Sequence, residues 1–269
     1  MNIISAIYFK TVVIFFILAL VTGCDYIERK SRPAGVIPLH LKNMSSSSCP
    51  LTFTVSGQKW NLDYLGFYLS EPEVRIDGKW QRVKFRQNDW QTPNVALLKF
   101  HNACDNAASS NTKIMLDATK ELLGLASAFR FTLGLPFDVN HANPLTQPSP
   151  LNDSTMFWSW QAGHKFMRLD ISASDNGENT FSYHLGSIGC ESESAMRPPE
   201  KSCTFSNRVN FILPMNQLDT NLDLSLSVTT ILAQASLNDS DGCIFDNPDE
   251  PACKQLMRNL VNRPWIAWE

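Results

Sequence analysis

Apolar and polar residues alternate with a period of two through most of the chain, as in "LTFTVSG" at 51–57. Successive side chains of a strand point to opposite faces, so such runs predict half-buried β-strands. "VIPLHL" (36–41), "NVALLKF" (94–100), "FRFTLGLPF" (129–137), "TMFWSWQAG" (155–163), "KFMRLDISA" (165–173), "TFSYHLGSI" (180–188) and "RVNFILP" (208–214) read the same way. "LGFYLSEPEVRIDGKWQRVKF" (65–85) predicts two strands folded at Asp77-Gly78, a dipeptide suited to a tight hairpin. "SDNGEN" (174–179) is a polar turn. Short strands at this spacing predict a mainly β fold, a single β-sandwich or barrel-like domain with long loops. One to three short helices are expected among "LDATKELLGL" (116–125), "LDLSLSVTTILAQA" (222–235) and "PACKQLMRNLV" (251–261); β-branched residues count against the second. Residues 138–154, "DVNHANPLTQPSPLNDS", hold three prolines and no apolar periodicity. A loop of that length in a compact domain is uncommon unless it has a function.

The first residues follow a different pattern. Lys10 precedes an almost wholly apolar run, Thr11 to Leu20, and then Val21-Thr22-Gly23-Cys24. That is the layout of a secretory signal, and it resembles the bacterial lipoprotein signal in which the cysteine becomes the lipidated first residue. The run is too short to span a bilayer comfortably. The expected organisation is a signal peptide at 1–23, a tether at 24–35 lipidated at Cys24, and one domain at 36–269. The expected location is the periplasmic face of the inner or outer membrane of a Gram-negative bacterium. Asp25, next to the cysteine, is the kind of residue that holds enteric lipoproteins at the inner membrane. Without residues 1–23 the formal charge is 22 − 26 = −4, because Lys10 is lost from the 23 basic residues. That mild balance argues against a nucleic-acid partner.

Once Cys24 is lipidated, six cysteines remain: Cys49, Cys104, Cys190, Cys203, Cys243 and Cys253. An even number in an exported protein predicts three disulfides. Cys190/Cys203 and Cys243/Cys253 are local couples across polar, proline-containing loops, which leaves Cys49 with Cys104. No pair is spaced C-x-x-C, which disfavours a structural zinc site or a thioredoxin-like centre.

Catalytic motifs are missing: there is no G-x-S-x-G, no H-E-x-x-H and no glycine-rich phosphate loop. No pair of acids stands out as a glycosidase couple. Copper is chemically better supplied, since imidazole suits it and thioethers select its cuprous state. The histidines are His40, His101, His141, His164 and His184. His141 sits in the proline-rich loop, His184 near a strand end, and His164 in a turn where exposure is expected. Each has a bland reading, as a hydrogen-bonding loop or strand residue. Met156, Trp158 and Trp160 sit at alternate positions of an expected strand and so share a face. That face reads equally as core or as an aromatic wall beside a metal.

In order along the chain come "NVALLKF", "FRFTLGLPFDVNHANPLTQPSPLNDSTMFWSWQAGHKFMRLD", "FSYHLGSIGC", "SNRVNFIL" and "DGCIFDNPDEPAC". Together they resemble the MbnP-like proteins, also called the metallo-mystery-pair four-Cys family. The likeness runs over roughly residues 36–262, and "LGFYLSEPEV" fits the family's early strand pair. It implies an exported, lipid-anchored copper-binding protein rather than an enzyme. A tryptophan in such a protein is oxidised to kynurenine by a partner dihaem cytochrome c peroxidase, MauG-like and of the MbnH type, and the kynurenine helps hold copper as Cu(I) or Cu(II). The four-Cys signature falls on Cys190, Cys203, Cys243 and Cys253, with Cys49 and Cys104 as an additional pair. The family's histidines match His141 and His184, the first-choice ligands. Met156 is an auxiliary candidate, His164 a potential extra ligand, and Trp158 and Trp160 are the candidates for oxidation. The chain departs from the pattern at His164, where tyrosine is usual, at Asn143, where aspartate is usual, and at Gly66, where arginine is usual. A metal-free binding or structural lipoprotein of the same fold is the alternative, and a hydrolase the remote third.

Overall fold

The structure is a computed structural model that describes residues 32–44, 48–101, 104, 110–175, 179–215, 223–237, 242–244 and 250–269. The signal peptide, Cys24 and most of the tether fall outside the described residues. So does the centre of the "SDNGEN" turn.

One strand organises the molecule. β3 (Gln58–Ile76) is 19 residues long, and β2 (Thr52–Val55), β4 (Lys79–Arg82), β5 (Val95–His101), β7 (Ala128–Leu133) and β10 (Met167–Ala173) all pair with it antiparallel. Its ends alternate buried and open positions, whereas Tyr64 to Ser70 are buried without a break. A strand covered on both faces shows a continuous apolar run rather than alternation. β11 (Thr180–Leu185) continues the sheet beyond β10, β14 (Cys243–Ile244) runs parallel beyond β11, and β12 (Val209–Pro214) lies beyond β7. A second sheet has the order β15 (Ile266–Trp268), β13 (Leu224–Leu226), β1 (Val36–Leu41), β6 (Lys113–Met115). Aromatic rings fill the core. Phe67 and Phe211 each meet the Trp265 ring edge-on at 5.9 and 5.3 Å, and Phe131 stacks between Phe85 and Phe129 at 6.2 Å from each. Each such side chain removed from water contributes on the order of 1.5–3 kcal/mol.

The mainly β expectation holds. The described residues contain four short α-helices rather than one to three: α1 (Lys120–Gly124), α2 (Phe137–Asn140), α3 (Val228–Ile231) and α4 (Pro251–Asn262). α1 is capped by the Thr119 hydroxyl, which accepts from the Leu122 amide. The 222–235 run is divided between a strand and a helix, with Ser227 capping α3. All three expected disulfides form, Cys49–Cys104, Cys190–Cys203 and Cys243–Cys253. No helix among the described residues is long and apolar enough to cross a membrane.

The "TMFWSWQAG" strand does not form as a unit. Ser154–Met156 is a 3-10 turn capped by the Asp153 carboxylate, β8 spans only Phe157–Ser159, and the chain turns back to β9 at Gly163–His164. Met156, Trp158 and Trp160 therefore do not share a face. Met156 is fully buried while both tryptophans are half-buried.

Candidate metal centre

The proline-rich loop is tied down at one end by a network around Asn140 and His164. α2 closes on His141, which follows Asn140; both residues are buried. The Asn140 amide group accepts the His164 backbone N–H through Oδ1 at 2.8 Å and donates from Nδ2 to His141 Nε2 at 3.1 Å. The Asn140 backbone carbonyl faces His164 Nδ1 at 2.9 Å, and the Leu151 carbonyl faces His164 Nε2 at 2.8 Å. This packing needs a glycine at 163: its φ is +78°, and a Cβ there would lie 2.6 Å from the Asn140 amide.

His164 is thus not the exposed turn residue expected but is wholly buried, edge-on to Tyr68 and Phe157. Two backbone carbonyls engage its two ring nitrogens, so it has no nitrogen to spare for a metal. A neutral imidazole donates only one hydrogen bond and an imidazolium two. Burial pushes its pKa down, and the two carbonyls pull the other way without prevailing.

His141 has the opposite arrangement. Because Asn140 Nδ2 donates to Nε2, that nitrogen carries a lone pair. Nδ1 is buried and makes no hydrogen bond. Burial lowers the His141 pKa; the nearby Trp160 carbonyl opposes this and His164 adds to it. Cys203 Sγ is 3.4 Å from His141 Nε2, and the donor atoms of His141, Cys190 and Cys203 all lie within 4.8 Å of one another. The two sulfurs are bonded to each other at 2.07 Å and are therefore not thiolates.

His184 lies on the outer face of the main sheet. β10 and β11 alternate, with Leu169, Ile171, Phe181 and Tyr183 inward and Arg168, Asp170, Ser182 and His184 outward. His184 Nε2 meets Asp170 Oδ1 at 2.7 Å, and Arg168 Nε donates to Asp170 Oδ2 at 2.6 Å. Burial alone would raise the Asp170 pKa; hydrogen bonds and charge from His184, with Arg168 behind them, hold it down to about 2. With Nε2 taken, Nδ1 is the remaining donor atom of His184. Arg168 lies 4.3 Å over the Tyr64 ring, and Tyr64 shares a hydrogen bond with Thr155 at 3.0 Å. Gly66 makes room for this: a Cβ would come within 2.9 Å of the Tyr64 ring and 3.0 Å of Met156 Sδ. Met156 therefore belongs with the core.

Trp158 joins the two histidine regions. Its ring stands edge-on to His184 at 6.4 Å, and it packs where Gly186 leaves room. It also lines a cleft of about 380 Å³ with Ser159, Gln161, Ala162, Ser187 and Cys190. Cys190 is the disulfide partner of the sulfur beside His141. Trp160 instead meets Phe157 edge-on at 6.3 Å and does not line the cleft. His40 and His101 are elsewhere, one against Asp223 and the other against Tyr64. Sequence reasoning missed Asn140, Asp170 and the placement of the expected Cys190–Cys203 disulfide beside His141. Asp170 left a faint signal: with Arg168 it places opposite charges two apart on the outward face of a strand.

The donors present suit copper. The buried His141 imidazole, with its lone pair on Nε2, and the carboxylate-oriented His184 imidazole are nitrogen ligands of the kind copper takes. Among curated proteins no sequence matches the chain. The solved structure of MbnP from Methylosinus trichosporium superimposes with a TM-score of 0.68 at 26% identity, over 84% of this chain and 87% of that one. Residues 35–246 match the family described as MbnP, well over half of the sequence, and the chain accordingly belongs to the MbnP family.

Proposed function

We propose that the protein is an exported, lipid-anchored copper-binding protein whose Trp158 is oxidised to kynurenine by a dihaem peroxidase partner of the MauG type. In this reading it is the substrate of an enzyme and not itself one. The observation that carries it is the position of Trp158, edge-on to His184 and on the wall of a cleft shared with Cys190, whose disulfide partner Cys203 lies beside His141. His184 would hold the metal through Nδ1, and His141 through Nε2, the nitrogen whose lone pair Asn140 Nδ2 now meets. Asp170 fixes the His184 ring by accepting from Nε2, and Asn140 fixes the tautomer of His141. Burial keeps His141 neutral and so keeps its lone pair available. The partner peroxidase, using peroxide as oxidant, would cleave the Trp158 indole C2–C3 bond with addition of oxygen. Hydrolysis would then release C2 as formate, leaving an aryl amine and a ketone that turn a packing residue into a further donor. When bound, copper supplies a cation that can change between cuprous and cupric states.

The test is copper binding by wild type, His141→Ala and His184→Ala, each produced together with the dihaem partner. Wild type is expected to hold copper through a competing chelator and both variants to release it. Equal retention by all three would contradict the ligand assignment, and release by wild type as readily as by the variants would favour a metal-free binding lipoprotein of the same fold.

A further inference from the structure

We infer that reduction of the Cys190–Cys203 disulfide creates a second kind of metal site, a two-sulfur, one-nitrogen site for Cu(I) built from Cys190, Cys203 and His141. It is independent of His184 and Trp158. The ingredients are already in place: the two sulfurs and the His141 ring nitrogen lie within 4.8 Å of one another, with Cys203 Sγ 3.4 Å from Nε2. His141 is buried, and its other nitrogen has no hydrogen-bond partner. The sulfur–sulfur bond keeps the two sulfurs from acting as ligands, and on reduction the Asn140 Nδ2–H gives up the His141 Nε2 lone pair to the metal.

Reduction would not scatter these groups, because the backbone holds them. Immediately outside the disulfide, Thr204 N–H donates to the Gly189 carbonyl at 3.1 Å. One step further, Ile188 and Phe205 exchange two hydrogen bonds at 2.9 and 3.0 Å. Ser187 to the Ser206 carbonyl at 3.1 Å and Asn207 to the Gly186 carbonyl at 2.8 Å extend the ladder. Gly189 permits the close approach, since a Cβ there would meet the Thr204 hydroxyl at 2.7 Å. The segment closed by the disulfide, Glu191–Ser202, is mostly exposed and has no regular structure, so it can adjust when the bond opens.

Access favours this bond over Cys243–Cys253. Cys49–Cys104 is the most exposed of the three, but no imidazole among the described residues groups with both its sulfurs as His141 does here. Cys190 lines the Trp158 cleft and Cys203 is half-buried, whereas Cys243 and Cys253 are both buried. A small-molecule thiol supplies the reduction. Two R–SH groups become R–S–S–R, the Cys190–Cys203 bond breaks, and their two electrons and two protons leave two cysteine thiols. Cu(I) then displaces thiol protons. Thiolate sulfur selects Cu(I) and zinc among biological cations. The described donors number three, and structural zinc is almost always four-coordinate, which favours Cu(I).

The experiment titrates Cu(I), buffered by a competing chelator, into protein reduced with a thiol and into untreated protein. Thiol alkylation counts the free cysteines, and X-ray absorption at the copper edge reads the ligands. Reduced wild type is expected to bind one equivalent of Cu(I) with sulfur scattering that untreated protein lacks, this equivalent taking His141 in place of the site proposed above. His184→Ala is expected to keep that equivalent, which separates it from the copper site proposed above. Cys190→Ser/Cys203→Ser and His141→Gln are expected to lose or weaken it. The serine pair leaves the exposed Cys49–Cys104 bridge intact, so undiminished uptake in that variant would place the copper elsewhere and overturn the inference. Should the serine pair fail to fold, the absorption spectrum of reduced wild type decides: copper without both sulfur and imidazole neighbours overturns it equally.

Discussion

Asp170 accepts from His184 with one carboxylate oxygen and from Arg168 with the other. Asp170→Asn keeps the shape but removes the charge that orients the ring. Losing a charged hydrogen bond of this kind costs about 1.5–3 kcal/mol of stability, readable by urea unfolding. Loss of such an outer partner typically weakens metal binding about ten- to hundredfold, so chelator competition should show copper affinity falling by that factor. An unchanged affinity would mean that His184 does not bind the metal. At this scale the sequence is only partly legible. His141, His184 and Trp158 stand out as residue types; Trp158 meets His184 edge-on and lines a cleft with Cys190, whose disulfide partner lies beside His141. His164 reads as a turn residue because a glycine precedes it and a lysine follows. Its burial depends on Asn140 and Leu151, which come from the far side of a loop that no periodicity predicts.

His164 ties the two ends of the loop at 138–154 together, its ring nitrogens facing the Asn140 and Leu151 carbonyls. His164→Ala would open a cavity and leave two backbone carbonyls without a partner, a cost of about 2–4 kcal/mol. Because Asn140 also holds His141, the same change should weaken copper binding, and a titration on the folded variant checks it. The clamp gives a pH dependence of definite sign. Burial holds the folded pKa values of both His141 and His164 below the ordinary histidine value, so the unfolded chain binds more protons. Stability from this source is complete above about pH 6.5 and is lost as the pH falls below that value towards the depressed folded values. Urea midpoints across that range should fall with acid, and less steeply in His164→Gln, which lacks one of the two groups. The hairpin of β8 and β9 shows why alternation misleads for this element. It suggests a strand from Thr155 to Gly163, but a run that turns after Ser159 leaves the same pattern.

Across the whole molecule, period-two runs separated by turn residues are enough to indicate a mainly β domain. What they do not reveal is β3, where a buried centre without alternation joins two segments into the strand on which five others depend. The disulfides differ in what they do for the fold. Cys49–Cys104 spans 55 residues, against 13 and 10 for the other two. Loop-closure entropy makes the long bridge worth about 4 kcal/mol and each short one about 3 kcal/mol, so paired serine replacements followed by urea unfolding should show the largest loss at Cys49/Cys104. The copper reading is tested most directly on protein purified from its native host, with peptide masses mapped and copper counted on the same sample. A kynurenine at Trp158, with Trp160 unmodified and copper present, is the predicted result. An unmodified Trp158 in copper-loaded protein, or oxidation confined to Trp160, would contradict it.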